Sequence, residues 1–211
     1  RKIAMRNCQI QIHAIGDRGN QMVLNAYEKA YKDFPKKDLR WRIEHAQNVI
    51  EADRKRFKDL NIIASMQPSH AIGDLHFAED RLGFERLSNA YTWKSFIDDG
   101  VVVVGGSDAP VEVGDPIIEF YAAVTRKDLD GYSNEGWNLQ QALSREQALA
   151  IFTKWPAYAI FEEDKLGTLE IGKLADITIF DQDIMTIPNE DILATNVVMT
   201  VVGGKIVYIN G

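Results

Sequence analysis

The chain carries a single cysteine, Cys8, in 211 residues. One thiol cannot close an internal disulfide, and so little cysteine points to a reducing compartment, the cytoplasm. The simplest reading of Cys8 is a small apolar residue in a buried strand. Long apolar runs are also missing. VVVV at 101–104 falls far short of the ~20 residues a bilayer-spanning helix needs, so no membrane partner is expected. Basic charge is in deficit, with 24 Lys and Arg against 31 Asp and Glu and a net charge of −7. That balance excludes the clustered cationic face that nucleic acid requires. Neither G-x-G-x-x-G nor G-x-x-x-x-G-K-[ST] follows any strand-like run, which argues against a nucleotide-binding sheet.

What is present is alternation. CQIQIH (8–13), WRIEH (41–45), IIASMQ (62–67) and VVVVGG (101–106) read as strands. Between and after them, 18–33, 50–60, 87–99, 115–127 and 144–161 read as helices. Ser144 followed by Gln147 marks the start of the last one. The unbroken apolar run at 101–104 predicts a strand buried on both faces. Strand and helix in turn imply parallel strands joined by crossover helices, in a doubly wound sheet or a (β/α) barrel. From Lys165 the texture changes to short β-rich runs with turn points at Gly167 and Gly172, and Gly203-Gly204 marks a hairpin. The chain is therefore expected to divide into an α/β part, 1–163, and a β segment, 164–211.

The polar residues at the strand ends carry the chemistry. Strand one ends in His13, strand two in His45, strand three leads through Pro68 into Ser69-His70, and strand four into Ser107-Asp108. In a parallel α/β fold these C-terminal ends lie side by side on the rim where active sites form. Imidazole and carboxylate suit Zn²⁺ and similar divalent ions, and a carboxylate beside an activated water can take its proton. Taken singly, each histidine could equally be a satisfied structural residue. His13, His45 and Asp108 at matching strand ends point together to a metal. Pro68 places His70 in a loop, as a substrate contact or a cap. His76 lies in a charged stretch, where a solvated role is expected. Asp17 is expected to turn the chain or cap the next helix, and Glu44 to pair with Arg40 or Arg42. The 71–83 loop and the 130–137 stretch are expected to shape a pocket, with Tyr132 and Trp137 as lid or packing residues.

HAIGDRG (13–19), RIEHAQ (42–47), MQPSH (66–70) and GGSDAPV (105–111) occur in this order, followed by LGTLEIGKLADITIFDQD (166–183). This series resembles the amidohydrolase superfamily, in particular amidohydrolase family 3, the branch that includes N-substituted formamide deformylases. The resemblance implies a metal-dependent hydrolase acting on non-peptide C–N bonds of amide or N-formyl type, with a small-molecule substrate. It implies strands five to eight of a distorted TIM-like (β/α)8 barrel plus the C-terminal part of a small β-sandwich. On that pattern His13 and His45 match metal ligands, and Asp108 matches the metal-binding aspartate that shuttles the proton. His70 matches a position of substrate contact, and the metal is zinc, as one or two ions.

One departure is large. No H-x-H occurs in these residues, although the family carries such a pair on its first strand, and the strand-four ligand is absent too. A barrel of this type takes ~250 residues, and half of one leaves open sheet edges. The chain is therefore expected to be the C-terminal portion of a longer enzyme, associating with its N-terminal half or with a second copy. The alternatives are a deaminase on the same scaffold, a metal-free small-molecule pocket, or a catalytically incomplete binding or oligomerisation domain.

Overall fold

Four short strands, β1 (Gln11–Ala14), β2 (Arg42–His45), β3 (Ile63–Met66) and β4 (Val103–Gly105), pair in chain order, all parallel. The computed structural model describes residues 2–6, 8–34, 38–133 and 135–211. A short α1 (Lys2–Met5) precedes the sheet. The crossovers that parallel pairing demands are α2 (Asp17–Asp33), then α3 (Glu51–Asp59), then a run of four short helices, α4 (Pro68–Asp74), α5 (Ala78–Leu82), α6 (Phe84–Leu87) and α7 (Trp93–Asp98). After β4 come α8 (Pro116–Thr125), α9 (Arg145–Phe152) and α10 (Lys154–Ala159). No helix among the described residues is long and apolar enough to cross a membrane.

Register assigns the two faces of the sheet. Ile43, Ala64 and Val103 are fully buried in one cluster with Leu24, Phe57 and Phe96 from the helices. Trp41 seals its edge, with ring centroids 4.9 Å from Tyr27 and 5.0 Å from Tyr31. The alternate residues Gln11, Arg42, Glu44 and Ser65 make the other face polar, except where Ala159, Trp155 and Tyr158 of α10 cover Ile63 and Val104. β4 is thus buried on both faces, as its apolar run predicts. Its last residue is glycine for a steric reason: a Cβ on Gly105 would sit 2.4 Å from the Phe152 ring of α9.

Two expected helices are interrupted. Over 87–99 the backbone around Ala90 bridges to Asn48, and the Tyr91 N–H donates to the Gln47 carbonyl at 2.7 Å. Those groups are then unavailable to a helix ladder. Over 144–161, Pro156 has no N–H to give the Phe152 carbonyl, so the chain breaks at Thr153 and restarts with Pro156 in the first turn of α10. The capping box of Ser144 and Gln147 forms as its sequence predicts. Cys8 departs from expectation: it is exposed and free, because strand pairing begins only at Gln11. Its Sγ donates to the Arg6 carbonyl at 3.7 Å.

The C-terminal residues form an antiparallel sheet of β5 (Ile177–Phe180), β6 (Val197–Val202) and β7 (Lys205–Ile209). Gly203 and Gly204, at φ 56° and 76°, supply the two positive φ values that the tight β6–β7 turn requires.

Each end of the parallel sheet is tied down differently. At the N-terminal end, the Gln9 amide donates to the Arg40 and Ala159 carbonyls at 2.8 and 2.6 Å. The Arg40 guanidinium lies between the Tyr158 and Phe161 rings, 3.8 and 4.1 Å from their centroids, and pairs with Asp38 at 3.0 Å and Glu163 at 2.7 Å. At the C-terminal end, the buried Asn20 Nδ2 faces the carbonyls of Ala14 (3.1 Å), Ile15 (3.2 Å), Gly16 (2.9 Å) and Asn48 (3.4 Å). One side chain therefore holds the turn after β1 and links it to the segment after β2.

Replacing Asn20 with leucine strips those buried carbonyls of their donor, at a cost of about 1–3 kcal/mol. Thermal denaturation should show Tm falling by several degrees. Arg40 holds the Glu163 carboxyl below its ordinary value through their hydrogen bond. The stabilisation is therefore complete above the ordinary carboxylate pKa and fades as pH falls through the lowered one. Glu163→Gln should lower Tm by about 2 °C at neutral pH, and the gap to wild type should close in acid.

Candidate functional site

β1 and β2 end in His13 and His45. The register sets His13 beside Glu44 and Ala14 beside His45, so regular alternation would send the two imidazoles to opposite faces. They nevertheless meet edge to face, with ring centroids 4.4 Å apart and planes at 76°. The backbone supplies the reason. His45 takes φ 75° and Ala46 φ 41°, a left-handed excursion uncommon for residues other than glycine. It breaks the alternation at the strand end and brings the His45 ring over to its neighbour.

His45 is buried while His13 is exposed. Gln67, immediately after β3, places its Oε1 2.9 Å from His45 Nδ1. An amide oxygen accepts, so the proton is assigned to Nδ1 and the Nε2 lone pair is left free, the arrangement in which an outer partner orients a ligand histidine. The ring of His70 stacks on that of His45 at 5.7 Å and 22°. His70 lies on α4 rather than in a loop: Pro68 occupies the first helical position, where its missing N–H costs nothing. Burial pushes the His70 pKa down and His45 adds to the shift, against the opposing charges of Glu112 and Asp108. Its Nε2 is 3.7 Å from Glu112 Oε1 and has no hydrogen-bond partner among the described residues.

Asp108 sits at φ 58° in the turn three residues beyond β4. β4 is two strands from β2, roughly 10 Å at ~4.8 Å per strand. The ends of β1 and β2 and the start of α4 thus bring His13, His45 and His70 into one row, and Asp108 is near enough to His70 for its charge to act on that imidazole. Among the described residues no group of three or more His, Cys, Asp or Glu side chains closes tightly enough to hold a metal. Catalytic zinc takes three protein ligands. Two neighbouring imidazoles, one with its free nitrogen fixed by Gln67, fit a divalent metal in donor chemistry and fall short of it in number.

The remaining expected residues are distributed around this row. Glu44 pairs with Arg42 at 3.1 Å. Asp17 is the first residue of α2, its Oδ1 accepting from the Arg18 N–H at 2.6 Å. His76 is half-exposed and bonded to Asp128 at 2.8 Å, with Tyr132 tilted against it at 4.8 Å. The 71–83 segment and Asp130 do line a cleft, of about 260 Å³, with Ser69, Glu112, Glu119 and Asp128. Trp137 instead packs inside, 5.6 Å from Tyr91 and 5.2 Å from the buried Arg126, whose pKa burial pushes down to about 9.

Sequence reasoning missed Gln67, Asn20 and Glu119. Glu119 accepts the Ser69 N–H at 3.0 Å, steadying the start of α4 beneath His70, and burial raises its carboxyl pKa. A lone acid inside the apolar run PIIEFYAAV was a readable signal of that inward role. No comparable signal marked the other two.

Residues 1–208 match the amidohydrolase family. The chain is 35% identical to the protein LONG AFTER FAR-RED 3 of Arabidopsis thaliana, covering 95% of this chain and 34% of that one. It is 32% identical to YtcJ of Bacillus subtilis (99% and 39%) and 28% identical to the N-substituted formamide deformylase of Arthrobacter pascens (94% and 36%). The chain thus spans little more than a third of the length of these curated relatives. Among solved structures, an uncharacterised metal-dependent hydrolase from Pyrococcus horikoshii superposes with a TM-score of 0.72 at 29% identity, over 86% of this chain and 35% of that one. Strand-end motifs, a parallel sheet that brings their histidines together, and a family match along nearly the whole length agree: the chain belongs to the amidohydrolase family.

Proposed function

We propose that the chain is the second half of the catalytic barrel of a metal-dependent hydrolase, with β1 to β4 as strands five to eight. Residues 164–211 would be the C-terminal part of its small β-sandwich. The reaction is hydrolysis of a non-peptide C–N bond of amide or N-formyl type in a small molecule. The observation that carries the reading is the contact between His13 and His45, which a regular register would forbid and a left-handed His45 backbone secures.

On this reading His13 and His45 hold a divalent metal together with Asp108, and the nitrogen-and-oxygen donor set favours zinc. Bound there, such an ion lowers the pKa of water towards ~7 and polarises a carbonyl. The protein's own residues do the rest. Gln67 Oε1, 2.9 Å from His45 Nδ1, would accept a hydrogen bond from it and leave Nε2 for a ligand. The Asp108 carboxylate takes the proton from the attacking water and returns it to the leaving nitrogen. His70, stacked on His45 with an unpaired buried Nε2, contacts the substrate. Donors beyond His13, His45 and Asp108 would come from outside these 211 residues, which accords with the chain's share of its relatives' length.

Zinc titration followed by thermal unfolding tests the site directly. At 100-fold excess over Kd a single bound ion contributes about 2.7 kcal/mol, a rise in Tm of about 5–10 °C for a chain of this size. His13→Ala and His45→Ala should each abolish the rise; a zinc-independent Tm in the wild type overturns the assignment. Gln67→Ala should weaken zinc binding by ~10–100-fold, measured by competition with a chelating dye. Asp108→Asn keeps an oxygen donor but cannot accept the proton. In the zinc-loaded full-length enzyme it should cut the turnover of an N-substituted formamide by ~10²–10⁴-fold, and unchanged turnover would remove Asp108 from its role.

A further inference from the structure

The cleft beside Glu112 carries a charge imbalance that the hydrolytic chemistry does not use. It opens between α4, the loop after β4, α8 and the turn that follows α8. Glu112, Glu119, Asp128 and Asp130 line it, and among the described residues no lysine or arginine does. Two of these acids face only a histidine: Glu112 stands 3.7 Å from His70 Nε2, and Asp128 bonds His76 at 2.8 Å. The Asp130 carboxylate is exposed and has no partner among the described residues. Glu119 is 3% exposed. Its Oε2 accepts the Ser69 N–H at 3.0 Å, while Oε1 has no partner among the described residues and, unlike Ser69 Oγ, is not sealed from solvent. Burial raises the Glu119 pKa, and the charge of Glu112 adds to the rise, against the hydrogen bonding of Ser69. A buried carboxylate without a countercharge is costly, and a cation entering the cleft would relieve that cost.

The walls decide what kind of cation fits. Among the described residues no three His, Cys, Asp or Glu side chains converge tightly enough to hold a metal ion, so the charge is spread along the cleft rather than gathered at a point. Ile72, Val113, Ile118 and Leu129 lie between the acids, and an alkyl stem rests on such surface while its charged head stays with polar groups. Benzene, with six heavy atoms, fits a cavity of ~150 Å³, so about 260 Å³ takes roughly ten. We infer that the cleft binds the cationic arm of a substrate, an ammonium or guanidinium head at Glu119 Oε1 and Glu112 with its alkyl stem along Ile72, Ile118 and Leu129. The purpose rests on the hydrolase reading: Glu112 lies against His70, so the arm would extend from a C–N bond at the histidine row. The binding itself does not depend on that reading.

Butylguanidinium and butylurea have the same size and shape and differ in charge. Titrated into the metal-free chain by calorimetry at low salt, butylguanidinium should bind saturably and ~10-fold or more tighter than butylurea, the worth of one charge-assisted hydrogen bond. Glu119→Gln keeps an acceptor for the Ser69 N–H and should erase that preference. Asp130→Lys sets a competing cation at the exposed side of the cleft; it should weaken butylguanidinium ~10-fold, and it decides the matter if Glu119→Gln does not fold. No saturable butylguanidinium binding by the wild type, equal affinity for butylurea, or a folded Glu119→Gln chain that keeps the preference overturns the site. Neither probe needs metal or turnover, so failure here leaves the zinc assignment standing, and a failed zinc titration leaves the cation site standing.

Discussion

Parallel pairing is the constraint from which the rest follows. Four strands running the same way must deliver all their C-terminal ends to one edge, and each return to the start must be made by a crossover. Residues separated by tens of positions, His13, His45 and His70, are thereby put within a few ångströms of one another before any side chain is chosen. The sheet does this coarsely. It cannot by itself align His13 with His45, because the register of β1 and β2 puts them on opposite faces. The local backbone at His45 completes what the topology begins, and a sparsely populated conformation of that kind is stable only where surrounding contacts hold it. The Gln67 bond and the stacked His70 ring are two such contacts.

Stability and chemistry occupy opposite ends of the same strands. The Arg40 clamp, with its two aromatic faces and two carboxylates, closes the sheet where the strands begin. The histidine row and the cleft beside Glu112 lie where the strands finish. Between the two ends, helices bury one face of the sheet while much of the other stays polar.

Much of this was legible in the sequence, for identifiable reasons. Strands and crossovers were readable because apolar periodicity is a local signal, and the meeting of His13 with His45 was readable because each stands at the end of one of two adjacent strands. What escaped depends on tertiary partners. The role of Asn20 lies in carbonyls of the preceding turn and of a segment 28 residues away. The left-handed His45 has no local sequence signature, since no glycine marks it. The interrupted 87–99 helix failed to form because a bridge from Asn48 claimed its backbone. The break before α10, by contrast, was already written in Pro156.

Gly105 has a consequence that reaches past packing. Phe152 lies so close that no side chain fits there, and three residues later the chain presents Asp108. The turn that carries Asp108 therefore leaves the sheet from a glycine packed directly against an aromatic ring on α9, a helix with no group in the histidine row. In a survey of substitutions, Gly105 and Phe152 would behave as a coupled pair, intolerant one at a time and rescued only together by trading bulk across the contact. Such covariation would mark a mechanical link between a helix on the outside of the sheet and the chemistry at its rim.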